Sequence, residues 1–137
     1  MPELNQTVLV TCRAEIEDRF STNTAIKDNI CSASGMKASS NPQLYAISFP
    51  KDKISYRLIK SSRVFAVNRM EKNHPNSAIP GDNIDKFKET GYRKTEAEKI
   101  DCPLIEDATE HIECEVINEI ESGDHIIFIG HILRGGW

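Results

Sequence analysis

The sequence predicts a mainly β domain, a small antiparallel barrel with one or two short helices. Three observations carry this. Runs rich in β-branched and aromatic residues recur at strand length from Thr7 to Arg134, and clusters of Gly, Pro, Asn and Ser separate them. The last two runs flank Ser122-Gly123-Asp124, a hairpin signal. About six strands are expected on this pattern, and closing them into a barrel removes their exposed edges.

Taken in order, Thr7 to Arg13 (TVLVTCR) reads as a buried strand, and the polar stretch Glu15 to Asn23 as a hairpin or loop. In IKDNICSAS, Ile26 to Ser34, small polar residues alternate with apolar ones, predicting one core face and one hydroxyl face. Lys37 to Pro42 (KASSNP) reads as a turn-rich link. Gln43 to Pro50 (QLYAISFP) is the clearest early strand, with Leu44, Ala46 and Ser48 on one side and Tyr45, Ile47 and Phe49 on the other. Ser55 reads as the N-cap of a short helix whose inner face carries Tyr56, Leu58 and Ile59. A strand returns at Arg63 to Asn68 (RVFAVN).

Glu71 to Asp85 is rich in Asn, Pro, Gly and charge and reads as a long excursion. Asp85 to Thr90 reads as a short helix stopped by Gly91, followed by a polar stretch from Tyr92 to Lys99. Two strands close the chain. In HIECEVINEIES, Ile112, Cys114, Val116 and Asn118 fall on one side, with Glu113, Glu115 and Ile117 opposite. HIIFIGHILR, His125 to Arg134, is the returning partner.

Composition narrows the function. At 137 residues, with 39% hydrophobic and 28% charged residues, the chain reads as a single folded domain, 1–137. A net charge of -4 and the lack of a basic, aromatic stripe argue against a nucleic-acid partner. No apolar run approaches the roughly 20 residues that span a bilayer. The start MPELNQ has neither the basic nor the apolar part of a signal peptide, so a cytoplasmic location without membrane contact is expected. Cys12, Cys31, Cys102 and Cys114 form no CxxC pair and read as reduced, buried thiols. The histidines (His74, His111, His125, His131) are scattered, and no metal site is expected.

Two constellations are able to bind a ligand. Lys51, Lys53, Ser55 and Tyr56 sit at a strand-to-helix junction, where unpaired amides and the helix dipole attract anions. The other reading is an ordinary capped surface helix with solvated lysines. Asn29, Cys31, Ser32 and Ser34 offer short polar groups to a flat, heteroatom-rich ligand, or else form a solvent face. Neither group holds a nucleophile–base pair, so catalytic residues stay unassigned.

The order of these segments resembles the flavin reductase-like family, whose FMN-binding split β-barrels usually form homodimers. The likeness runs through VTCR, KDNICSAS, SNPQLYAISF, KDKISYRLI, RVFAVN, NSAIPGDNIDKF, CPLIEDATEHIECEV and GDHIIFIGHI, nearly the whole chain. It implies FMN as cofactor, with Lys53 and Ser55, followed by Tyr56, at the phosphate. Asn29, Ser32 and Ser34 would reach the ribityl chain or ring edge, backbone amides around Ile30, Cys31 and Ser32 the reduced ring, and Ser48 belongs to the same cofactor set. Three features depart from the family: Ser77-Ala78 where Ser-Gly is frequent, Gly35-Met36 where an aromatic residue is common, and an earlier end, at Trp137.

The resemblance implies an FMN-dependent oxidoreductase, either a flavin reductase or a flavoredoxin-like electron carrier, taking electrons from NAD(P)H or a protein donor. Its alternative is a non-catalytic split-barrel dimer that binds flavin or haem. With no Rossmann glycine pattern, no dedicated dinucleotide domain is expected.

Overall fold

A computed structural model describes residues 6–17, 24–70 and 91–136. Its strands are β1 (Gln6–Glu17), β2 (Thr24–Ser40), β3 (Gln43–Pro50), β4 (Val64–Arg69), β5 (Lys94–Glu96), β6 (Pro103–Ile105), β7 (Glu110–Ser122) and β8 (His125–Arg134); the helix is α1 (Ile54–Ser62). Six strands close into a barrel in the order β1-β2-β3-β8-β7-β4, with every pairing antiparallel, while β5 and β6 form a separate ribbon. The mainly β class expected from the sequence is the one observed. The proposed helix at Asp85–Thr90 lies outside the described residues, as do the loop motif at Ser77-Ala78 and His74.

Alternation places the core. Tyr45, Ile47 and Phe49 point into the barrel, where they meet Val8, Val10, Cys12, Phe65, Val67, Ile112, Cys114 and Phe128. Gly130 lets β8 lie against β7 and β4. A Cβ there would stand 2.6 Å from the Cys114 Cβ and 2.7 Å from the Phe65 ring, inside any tolerable contact. The helix α1 closes one barrel end with Leu58 and Ile59, packing mostly on β1. Arg63 ends it in the left-handed region (φ 64°), donating its N–H to Ile59 O. Its side chain offsets that strain through a 2.7 Å ion pair with Glu119.

Three local readings differ from the sequence. The KASS stretch continues β2 to Ser40, with a register shift between Lys37 and Ser39, and only Asn41-Pro42 turns. On β7 a second register shift, between Val116 and Asn118, rotates Asn118 out to solvent. Glu113, expected outside, is fully buried because residues 97–101 fold over it. Its carboxylate accepts bonds from the Glu98 and Lys99 amides at 3.0 and 2.6 Å and pairs with Arg134 at 3.2 Å.

That covering segment is a strap, residues 91–109, laid over the outer face of β1 and β4. Leu9 and Ile30 pack under Tyr92 and Ile105, and Ala66 under Cys102 and Leu104. Buried Asn68 pins it, donating to Leu9 O and Thr11 Oγ1 and accepting from the Ile105 amide. Arg13 adds a clamp, bonding Asp28 at 2.7 Å, Glu96 at 2.6 Å and Asp101 at 2.9 Å.

Candidate functional site

Beyond Ile30, which the strap covers, the wall formed by β2, β3 and β8 has no such strap among the described residues. Its outward residues follow from pairing: Ser34 stands opposite Ser48, and Ser48 opposite Ile127, while Met36 stands opposite Ala46 and Ala46 opposite Ile129. They line a half-open hollow of about 310 Å³ bounded by Ser34, Gly35, Met36, Ala46, Ser48 and Ile127. The hollow is mostly apolar, with two hydroxyls facing each other across the β2–β3 seam. A flat, partly polar ring suits such a lining. Gly35 keeps the floor close to the core, because a Cβ there would lie 2.5 Å from the Tyr45 hydroxyl.

Ladder pairing between β2 and β3 begins only at Ser34. Residues 29–33 of β2 therefore lack a strand partner on the β3 side among the described residues, and Ser32 continues the outward hydroxyl line from Ser34. At the same level the chain leaves β3 through Pro50, turns at Lys51–Lys53 and enters α1. The helix start thus follows the hollow's β3 edge by only a few residues of chain. A larger depression of about 520 Å³ around Arg13, Ile26, Ser61 and Asp101 contains none of the sequence candidates.

At the helix start the N-cap is Lys53, not Ser55. Lys53 has extended backbone (φ -72°, ψ 142°), and its side chain makes no capping hydrogen bond. Lysine has no acceptor, so it cannot perform the reciprocal bonding that serine or aspartate gives at this position. The first turn also contains no acidic residue. A helix start with a lysine at the cap position and no acid in its first turn favours an anion. Lys53 is half-buried and has no ion-pair partner among the described residues, whereas Lys51 lies 3.9 Å from Glu121.

Tyr56 is engaged elsewhere. Its hydroxyl donates to Glu121 Oε1 at 3.3 Å and accepts from Lys60 Nζ at 3.3 Å, while its ring packs on Phe128. Ser55 faces inward and is fully buried; Asn29 Nδ2 donates to its Oγ at 3.0 Å. Asn29 is 2% exposed, and its Oδ1 has no hydrogen-bond partner among the described residues. Ile30 is covered by the strap and Cys31 lies in the barrel core, which leaves their backbones as the only parts able to serve a ligand.

The nine candidates therefore divide. Ser32, Ser34 and Ser48 share the open outer wall, Lys53 guards the helix start, and Asn29 and Ser55 form a buried pair beneath it. Sequence reasoning missed Met36, Ala46 and Ile127 as lining residues. The outward set Leu44, Ala46 and Ser48 was the available signal, but the β8 register was not.

All four thiols are free and buried. Burial pushes the Cys12 thiol up, nearby Cys31 and Cys102 add to this, and a hydrogen bond with Ser55 partly offsets it. Burial likewise pushes Cys102 up to about 12. Such thiols are poor nucleophiles. Among the described residues no group of three or more His, Cys, Asp and Glu side chains is placed to hold a metal, and no helix is long and apolar enough to cross a membrane.

Residues 4–136 match the family model described as a flavin reductase like domain. An NADH-dependent FAD reductase of Streptomyces globisporus is 29% identical over 101 residues, covering 68% of this chain and 53% of that protein. An uncharacterized protein of Aeropyrum pernix is 30% identical over 105 residues, covering 69% of this chain and 38% of its own length. The chain thus spans about half or less of these curated relatives. Among solved structures, flavoredoxin of Desulfovibrio vulgaris (Miyazaki F) superposes with a TM-score of 0.75 at 26% identity, covering 95% of this chain and 68% of that one. The NADH:FAD oxidoreductase of Streptomyces globisporus C-1027 gives 0.71 at 23%, covering 96% and 75%.

Proposed function

We infer that this chain, which belongs to the flavin reductase-like family, binds flavin mononucleotide along the β2–β3 wall and acts as an FMN-dependent oxidoreductase. The observation that carries this reading is that two fitting features follow each other along the chain, the hollow edged by Ser48 of β3 and the α1 start that comes after Pro50. The hollow between Ser34, Ser48 and Ile127 suits a ring, and the α1 start, with Lys53 at its cap and no acid in its first turn, suits a phosphate. Bound flavin would supply the redox chemistry, leaving the protein to bind, orient and exclude water. Lys53 and the first-turn amides hold the anion. Ser32, Ser34 and Ser48 offer hydroxyls along the path between, and Met36, Ala46 and Ile127 shield one side of the ring.

NAD(P)H is the proposed electron donor, a reading supported by the printed names of the Streptomyces relatives. A homodimer is proposed as well. Met36 of β2 and Leu133 of β8 are 44% and 38% exposed, and symmetric pairing would cover them. Four buried cysteines, none of them in a disulfide, fit the proposed reducing cytoplasm.

Titration with FMN tests the site. Saturable binding to the wild type is expected, with at least tenfold weaker binding for Lys53→Glu, since a repelling carboxylate replaces a charge-assisted contact. Bleaching of the bound flavin by NADH or NADPH without oxygen would support the oxidoreductase reading. A protein that takes up no FMN would overturn it, and one that binds FMN but never bleaches with any donor would be a passive binder.

A further inference from the structure

Asn29 carries a feature that barrel stability does not explain. It lies on the inner side of β2, opposite Cys12, at the end closed by α1. An apolar residue would suit that interior. Asn29 instead buries an amide of which one end, Oδ1, has no partner among the described residues. An orphaned buried acceptor costs free energy that a leucine or alanine would not. What the amide gains is a single bond, Nδ2 to Ser55 Oγ at 3.0 Å.

Ser55 is the second residue of α1 and is fully buried. Its hydroxyl faces the barrel, so the anion-facing side of this turn consists of the Lys53 side chain and the backbone. The turn is also tied locally, by Lys53 N–H to Pro50 O at 3.2 Å and Tyr56 N–H to Lys53 O at 3.1 Å, and to other strands through Tyr56 Oη with Glu121 and the Cys12 thiol with Ser55. The Asn29–Ser55 bond is the described side-chain link from the first turn to β2, the strand that also carries Ser32 and Ser34.

We propose that Asn29 is a positioning residue that braces Ser55 from inside the barrel and so sets the first turn of α1 for the flavin phosphate. The proposal rests on the FMN reading above. It reassigns Asn29 and Ser55 from ligand contacts to a buried brace, joining the anion end of the site to the ring end. Rotation or lift of the first turn, once the brace is lost, misdirects the amides and Lys53 without touching the hollow.

The test compares FMN with riboflavin, which lacks the phosphate, on purified protein. Asn29→Ala is expected to weaken FMN about tenfold, the scale of one hydrogen bond, while riboflavin affinity changes less than about twofold. Ser55→Ala should reproduce that loss, and the double variant should be no weaker than the weaker single, because both act through one bond. Should Asn29→Ala fail to fold, Ser55→Ala decides alone, since alanine favours the helix. Equal losses for both flavins, additive losses, or unchanged FMN affinity would overturn the brace. A wild type that binds neither flavin would overturn the FMN reading with it. Loss on Lys53→Glu combined with neutral Asn29→Ala and Ser55→Ala would overturn the brace alone.

Discussion

The barrel wall has two outer faces built from similar strands, and the chain treats them in opposite ways. Over β1 and β4 it lays the strap, and two buried polar groups directly under it are bonded: both ends of the Asn68 amide have partners, and the Glu113 carboxylate accepts two amides beside Arg134. Over β3, β8 and the part of β2 beyond the strap-covered Ile30 no described segment is laid. Hydroxyls and apolar side chains stay open there, while buried polar atoms without a partner among the described residues occur under both walls, Asn29 Oδ1 on β2 and Arg69 Nε on β4. A sealed face is optimised for stability, whereas an open one keeps its binding capacity for something other than the chain itself.

Three variants break or sharpen this contrast. The largest effect is expected at the seal. Asn68→Ala strands the buried Ile105 amide and removes the bonds to Leu9 and Thr11, which should cost about 3 kcal/mol. A shift of the urea midpoint with an unchanged slope would register it. A loss below about 1 kcal/mol would mean that the strap is only loosely held.

The clamp should be weaker and pH-dependent. Burial opposes the ionised form of Asp28, but hydrogen bonds from Arg13 and Lys94 outweigh it and hold the pKa below the ordinary 3.8. A lowered folded pKa means stability present above the unfolded value and lost as pH falls through the folded one. Asp28→Asn should therefore cost about 1 kcal/mol near neutrality, the scale of an Arg–carboxylate pair at the surface, and progressively less below the ordinary value. Urea unfolding of both proteins at neutral and acid pH checks the sign; a cost that grows on acidification would contradict it.

The smallest effect on folding belongs to the open face. Ser34→Ala with Ser48→Ala should move stability by no more than about 0.5 kcal/mol, as surface changes do. The same pair should weaken FMN binding measurably in a fluorescence titration. A large loss of stability would show that these hydroxyls are structural after all.

Much of the fold was legible. QLYAISFP alternates so regularly that its inward trio is the buried one, and Gly123, at φ 61°, turns the last hairpin where the sequence placed it. Less visible was what depends on distant chain. Glu113 looks like a surface residue until the 97–101 turn covers it. Ser55 resembles an N-cap because serine usually serves there, yet the geometry of α1 gives that place to Lys53 and turns Ser55 inward toward Asn29. The hollow itself needs Ser34, Ser48 and Ile127 in one rung, a register that alternation within a single strand does not specify.

The contrast between the faces is tested most directly by mapping backbone amide shifts in the labelled protein as FMN is added. The account predicts that the amides of Ser32, Ser34, Met36, Ser48, Lys53 and Ser55 move together and saturate, while those of Leu9, Cys102, Leu104 and Ile105 stay in place. Shifts confined to the strap face, or none at all at saturating FMN, would contradict it.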